Sequence, residues 1–432
     1  MNKRIQSTIS YIALFALVIL MSSCFTHNSP SLTANAADVS NLAFSNELSQ
    51  YQPHLTARSR TVEQIYDQTA TPGIALESGY AEKRKEIIRM YQSVGIDISL
   101  DKNELRKLKP QNWSKQTPQP LDGSYPQPYS IDAPFYQKIP TNFPRVLLPT
   151  GYVQSGHIST LGLSGDGSDE FGIGVVIGSA SDPIRTIHLE QANQYAKIGT
   201  CPQLNPWTGL NVKWHIPDSA NTKLGSTANG VPRNQSDRTV VWLDRATNKT
   251  IATWGTIENC QPLLGDWSAM HIQQPDQLPS LGDAGGINAA NKSDIVTLIR
   301  PGEAINPQQP IPHALSGPVR NAWKAIVYPA SNYDQSIDQN NRGLLGYGFL
   351  VQLDPNLNLA SLNLSLPARR ILEAIQTYGW YMDDTGVRDF DIKGNFSAAE
   401  FAPYGGVNAV DAQVLSVLKN QKLYVVPPLV KR

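Results

Sequence analysis

The chain has 432 residues, and 36 Lys and Arg are balanced by 36 Asp and Glu, so its formal net charge at pH 7 is zero. Charged residues make up only 17% and form no basic run, which argues against a nucleic-acid partner, because binding phosphates takes clustered Lys and Arg. Its three cysteines form no CxxC pattern or Cys/His cluster, so zinc has no ligand set, and neither metal nor cofactor is expected.

The N-terminus carries Lys3 and Arg4, then an uncharged apolar run from Ile9 to Met21, then Ser22, Ser23 and Cys24. A basic start, a short apolar run and small residues before a cleavage point make an export signal, and the run is shorter than the ~20 residues of a spanning helix. Met21 to Cys24 resembles the lipobox of bacterial lipoproteins. That resemblance implies acylation at Cys24 and a membrane contact through a lipid anchor only. A rival small-x-small site, Ala34-Asn35-Ala36, would instead release a secreted chain. In an exported protein the remaining Cys201 and Cys260 are most simply one disulfide, the alternative being two free buried thiols.

Residues 24–48 are polar and without periodicity, which reads as a flexible tether following a signal peptide at 1–23. Residues 49–109 form a helical segment: Tyr80, Ile87, Tyr91 and Val94 make one apolar stripe between charged residues, with Gly95 as the stop. The Pro- and Gln-rich stretch 110–134 is the best linker.

From 135 to 432 the pattern changes to short β-branched and aromatic runs such as "FGIGVVIGSA", "NVKWHI", "TVVWLD", "TIATWGTI" and "GYGFLVQLD". "TVVWLD" and "KTIATW", joined by Arg245 to Asn248, read as a hairpin. Helical patterning returns at "PARRILEAIQTYG" and again near Ala412 to Leu418, and "KLYVVPPL" is a last strand. "WYMDDTGVRDFDI" is a second hairpin candidate, turning at Thr385-Gly386. The expected fold is mostly β: a two-sheet, jelly-roll-like sandwich with one or two packed helices near the C-terminus and a helical N-terminal segment.

Three groups of residues could carry chemistry. Asp283, Glu303 and His313 lie in a loop-rich stretch dense in Gly and Pro; two carboxylates facing each other across a cleft can serve as acid and base on a glycosidic bond, and an imidazole adds a group titrating near neutrality. The plainer reading makes Asp283 a turn former, Glu303 a surface residue and His313 a donor to a backbone carbonyl. "DFDIKGNFSAAE" fits EF-hand spacing at Asp389, Asp391, Gly394 and Glu400, but Lys393 stands where a ligand oxygen is required, so it reads as a strand running into a turn. Trp207, Trp214, Trp242, Trp254, Trp267, Trp323 and Trp380 fall in the β region. Most are expected in the core, leaving one or two to stack on a sugar ring.

The succession Asp283-Ala-Gly-Gly286, "IRPGE" (Ile299 to Glu303), "IPHAL" (Ile311 to Leu315) and "TYGWYMDDTG" (Thr377 to Gly386) resembles a family of secreted bacterial proteins with recurring Asp-Ala-(Ala/Gly)-Gly, Arg-x-x-Glu, Ile-x-His-Ala-Leu and Tyr-Gly motifs. The family has no assigned reaction. The resemblance implies a site at Asp283, Glu303 and His313, with Asp237, Arg300, Tyr378 and Asp384 as substrate-binding residues. Thr239 stands where that pattern would place a His, which withholds a metal-binding or catalytic role from its strand. No serine-hydrolase elbow, Walker loop, HExxH or dinucleotide motif occurs. The expected function is binding of a polysaccharide or envelope glycan, the alternative being glycan cleavage by an Asp/Glu pair assisted by a His.

Overall fold

A computed structural model of the chain describes residues 60–96, 98, 109, 112–118, 127–160, 172–189, 211–220, 239–258, 267–269, 271–334 and 341–429. The chain divides into two units, Met1–Ala43 and Phe44–Arg432, and every described residue belongs to the second. The export signal, Cys24, Cys201, Cys260 and Asp237 lie outside the described residues. No helix among the described residues is long and apolar enough to cross a membrane.

Two helices open the described chain, α1 (Val62–Thr69) and α2 (Tyr80–Ser93). Thr61 and Gln64 cap α1 reciprocally, each side chain accepting from the other residue's backbone N–H. The stripe on α2 buries Ile87 and Tyr91, and the helix ends where the N–H groups of Gly95 and Ile96 donate to the carbonyls of Gln92 and Tyr91. Arg84 projects from the same helix into the interior, where its guanidinium donates to the carbonyls of Gly343 and Asn341 and lies over the Trp323 ring. These helices pack into the main core rather than on a body of their own. The Pro- and Gln-rich stretch likewise sends Tyr129 and Ala133 into a core cluster, because its few apolar side chains find burial even without regular structure around them.

The strands follow in order: β1 (Val146–Leu147), β2 (Gly156–Ile158), β3 (Gly174–Gly178), β4 (Ile184–Leu189), β5 (Asn211–His215), β6 (Val240–Asp244), β7 (Lys249–Trp254), β8 (Ile257–Glu258), β9 (Trp267–Ala269), β10 (His271–Ile272) and β11 (Asp276–Gln277). After a long loop come β12 (Leu315–Val319), β13 (Ala322–Ile326), β14 (Leu345–Tyr347) and β15 (Leu350–Leu353). The end of the chain holds α3 (Leu366–Thr377), β16 (Trp380–Thr385), β17 (Phe390–Ile392), α4 (Val407–Asn420) and β18 (Leu423–Val426).

These strands make several small sheets, so the fold is mixed α/β. One sheet runs β1-β18-β15-β16-β12; a second runs β10-β7-β6-β3, with β11 also on β7; a third runs β5-β4-β9-β8. The β6–β7 hairpin is present as the sequence predicts, closing at Asp244 opposite Lys249 with Asn248 in the left-handed region. The expected hairpin at Thr385-Gly386 is not. There β16 pairs in parallel with β12, β17 pairs in parallel with β2, and β12 runs between them, with the Lys393 N–H donating to the Ser316 carbonyl. A local turn signal could not reveal this, since the intervening strand comes from more than sixty residues upstream.

One core cluster draws Val175, Val241, Leu243 and Ala252 from the second sheet and Leu350, Tyr381 and Val426 from the first, with Phe135 among them. On the other side of the first sheet, α3 buries Ile371, Leu372 and Ile375, each worth roughly 1.5–3 kcal/mol of transfer free energy. Trp380 lies flat on Phe390, ring centroids 4.0 Å apart, and fixes β16 against β17 through the strand between them.

Candidate functional site

The loop from 281 to 314 places the residues singled out by their motifs in two settings. Glu303 and His313 meet: the Nε2 of His313 is 3.2 Å from Glu303 Oε2, and its Nδ1–H donates to the Ala314 carbonyl at 2.8 Å. Arg300 joins them, its backbone N–H donating to Oε2 at 2.8 Å and its Nη1 standing 3.4 Å from Oε1. Burial alone would push the Glu303 carboxyl up, but His313 and Arg300 outweigh it and hold the group below the usual carboxylate range. Nearby Tyr136 is pushed up to about 12 by burial, which Arg300 partly offsets. His313 is fully buried while the Glu303 side chain stays 17% exposed, so the pair sits at the edge of the interior and braces the loop.

Asp283 keeps different company. Lys109 reaches it at 2.9 Å, and burial together with the charge of Asp283 raises the phenol of Tyr328. Asp276 is also raised, by burial and then by Asp283, against the Ser280 hydroxyl that donates to it. Asp283 and Glu303 share none of these partners. Tyr378 is buried in the core cluster beneath the first sheet, and Arg300 is committed to Glu303.

Asp384 lies elsewhere, in the wall of a cavity of ≈ 380 Å³ that Trp254, Asn288, Asp294, Asp334, Asp391 and Lys393 also line. Through Asp294 and Lys393 this cavity adjoins a buried cluster of charges. Lys292, fully buried, donates to Thr297 Oγ1 at 2.8 Å and to Ser316 Oγ at 3.0 Å, and pairs with Asp383 at 2.9 Å. Lys393 pairs with the same Asp383 at 3.0 Å and with Asp294 at 3.3 Å. Asp294 also accepts from Asn288 Nδ2 at 2.8 Å.

Local structure explains how these residues converge. Asn288 bridges the loop by donating to the Lys292 carbonyl, and Gly286 lets that carbonyl come so close that a Cβ would stand 1.4 Å from its oxygen. On β16 the register against β12 slips by one residue between Gly317 and Pro318, leaving Asp383 as the extra residue. Such a bulge re-aims its neighbours. Asp383 turns to the two lysines and Asp384 to the cavity.

The electrostatics divide along the same line. Burial pushes the Asp383 carboxyl up, but Lys292 and Lys393 outweigh it and hold it below the usual range. Burial would lower the Lys393 ammonium, yet Asp383, Asp294 and Asp384 hold it well above the lysine range. Asp384 has no such compensation: burial, with Asp383 adding to it, pushes it up to about 7 despite Lys393. Asp391 is pushed up to about 6, again by burial, against the pull of Arg388 and His157. The result is two carboxyl groups that change protonation near neutrality in one cavity, beside a salt-bridged floor.

The motifs singled out Asp384 and passed over Lys292, Asp294 and Asp383, while Asp391 and Lys393 entered only through the calcium-loop spacing that was set aside. A partial signal was available in "DFDIK", where Asp391 and Lys393 flank Ile392 at the spacing that puts two side chains on the same side of an extended chain. Of the tryptophans, Trp214, Trp242, Trp267, Trp323 and Trp380 are buried; Trp207 lies outside the described residues; Trp254 is partly exposed in the cavity wall.

Comparison with family models, curated proteins and solved structures finds no match.

Proposed function

We propose that this chain binds a polysaccharide or envelope glycan, taking one sugar unit into the cavity lined by Trp254, Asp384 and Asp391. The observation that carries this reading is the pairing, in the lining of one cavity, of a partly exposed indole with carboxylates. A pyranose has an apolar face that stacks on such a ring and hydroxyl groups that need acceptors at its edge. The volume of ≈ 380 Å³ suits a small ligand rather than a buried chain, so the rest of the glycan lies outside. In this reading the two five-stranded sheets act as the layers of a jelly-roll-like sandwich, supported by the core cluster they share. The N-terminal signal and Cys24 serve to export and tether the chain at the cell envelope.

A second reading, cleavage of the glycan, is favoured by one specific observation: the two carboxyl groups in the cavity titrate near neutrality, Asp384 above Asp391. Asp384 would give its proton to the leaving glycosidic oxygen, while Asp391 takes a proton from the water that attacks the anomeric carbon. The acid pair of this reading is Asp384 and Asp391, in place of Asp283 and Glu303.

A glycan array probed with the full-length protein and with Trp254→Ala tests the binding reading. Signals on a defined set of glycans that fall about tenfold or more in the variant are expected, since a stacked ring contributes on the order of 1–2 kcal/mol. An array that stays blank, or signals that ignore the substitution, would remove the reading. Reducing ends released by the wild type and not by Asp384→Asn would establish cleavage.

A further inference from the structure

We infer that the cavity selects a sugar carrying a protonated amine, a hexosamine whose nitrogen is not acetylated, seated with its ammonium between Asp384 and Asp391 and its ring against Trp254. This rests on the glycan-binding reading above and names the class of sugar.

Four carboxylates line the cavity, Asp294, Asp334, Asp384 and Asp391, against one cation, Lys393. That cation is already committed: Asp383 and Asp294 hold it at 3.0 and 3.3 Å. Asp294 is in turn satisfied by Asn288, and Asp334 accepts from the Thr385 hydroxyl at 2.9 Å. Asp384 and Asp391 are left with weak support. Asp384 accepts one backbone N–H, that of Thr385, at 2.8 Å.

Asp391 is the decisive residue. It is 3% exposed, yet its Oδ1 has no hydrogen-bond partner among the described residues. Its other oxygen sees Arg388 Nη1 only at 3.7 Å, too long for a hydrogen bond. His157 stands nearby but gives its Nδ1 to Asp411 at 2.6 Å. A buried carboxylate oxygen without a donor is costly, and native proteins rarely leave one unless something else supplies it.

Two remedies exist for acids in a cavity whose burial outweighs the charge that nearby cations offer them. One is a proton on each, which burial favours by pushing Asp384 up to about 7 and Asp391 up to about 6. The other is a ligand that brings donors and positive charge together. An ammonium carries three N–H donors and one charge, which meets the deficit of both acids at once. A uronate would add a like charge to the cavity, and acetylation removes the charge while adding bulk. An ammonium lodged between the two acids would also displace the proton that cleavage needs, so the inference belongs with binding rather than cleavage.

The test uses the full-length protein with two probes, a glucosamine hexamer and its fully N-acetylated counterpart, titrated by calorimetry at about pH 6.5 in two buffers of different ionisation enthalpy. The free amine is expected to bind about tenfold or more tightly than the acetylated chain, as for a charge-assisted hydrogen bond, and to expel protons into the buffer. Asp391→Asn and Asp384→Asn should each shrink that preference to within about threefold while keeping measurable affinity for the acetylated chain. Equal affinity for the two hexamers in the wild type overturns the inference and leaves the glycan reading standing. A preference that survives in both variants overturns it as well, since the selecting charge then lies elsewhere. Absence of binding to either hexamer overturns it too, and the array with Trp254→Ala decides separately whether another glycan is bound.

Discussion

Lys393 and Asp383 meet in the interior with Nζ 3.0 Å from Oδ1, and Lys292 holds the other oxygen of the same carboxylate at 2.9 Å. One acid therefore neutralises parts of two cations, and each cation depends on it. Removing one member of a buried ion pair leaves its partner charged and unmatched, a loss of about 3–5 kcal/mol. Asp383→Asn, which strips the fully buried Lys292 of its acid, is expected to lower the unfolding free energy by that amount in urea titrations. A change below about 1 kcal/mol would mean that the network is solvated and not structural.

Asp384 gives the native state a pH signature. Its folded value, about 7, lies above the unfolded one, so between roughly pH 4 and 7 the native protein binds more protons than the unfolded chain. The stability linked to this group is full below that window and falls as pH rises through it, by up to about 4 kcal/mol. Asp384→Asn should flatten the decline, making the variant the more stable protein at pH 7.5 and not at pH 4. Parallel stability curves for the two proteins would count against the assignment.

Glu303 has the opposite sign. Its carboxyl sits below the usual range, so its stabilisation is present above the unfolded value and is lost as pH falls through the folded one. Glu303→Gln is expected to cost about 1–3 kcal/mol at pH 7, because the buried Arg300 loses its counter-charge, and the gap to wild type should narrow below about pH 4. The same variant should leave glycan affinity unchanged. A variant that keeps its fold and loses affinity would return Glu303 to the binding site.

At Gly317 the backbone of β12 lies close against that of β17. A Cβ there would stand 1.9 Å from the Asp391 carbonyl oxygen, a clash with backbone that no rotamer relieves. Gly317→Ala should destabilise by about 1–3 kcal/mol or more and should also reduce glycan affinity, because the strand that moves carries Asp391. Unchanged affinity in a destabilised variant would show that the cavity tolerates that shift.

Much of the local structure was legible. The apolar stripe of α2, the run from Pro367 to Tyr378 and the β6–β7 turn are all short-range patterns, and each element forms where its pattern lies. Pairing between strands was not legible. The runs around β12, β16 and β17 look alike in composition, and only contacts across long separations decide that β12 lies between the other two. The site divides in the same manner. Glu303 and His313, ten residues apart, do meet, whereas the union of Lys292, Asp294, Asp383 and Lys393 spans about a hundred residues and leaves no spacing to read. Lys393 was visible only as the residue that spoils a calcium loop, although its alternation with Ile392 and Asp391 hinted at an interior partner.

The one-residue slip of β16 beside Gly317 and Pro318 makes the peptide link between Asp383 and Asp384 a frontier. On one side an acid is anchored to lysines; on the other, its neighbour looks onto open space. Trimming or lengthening that strand by a single position would trade their surroundings, turning the anchored charge outward and driving the unanchored one into the interior. Substitutions around this link can adjust the pocket gradually, but insertions and deletions there cannot.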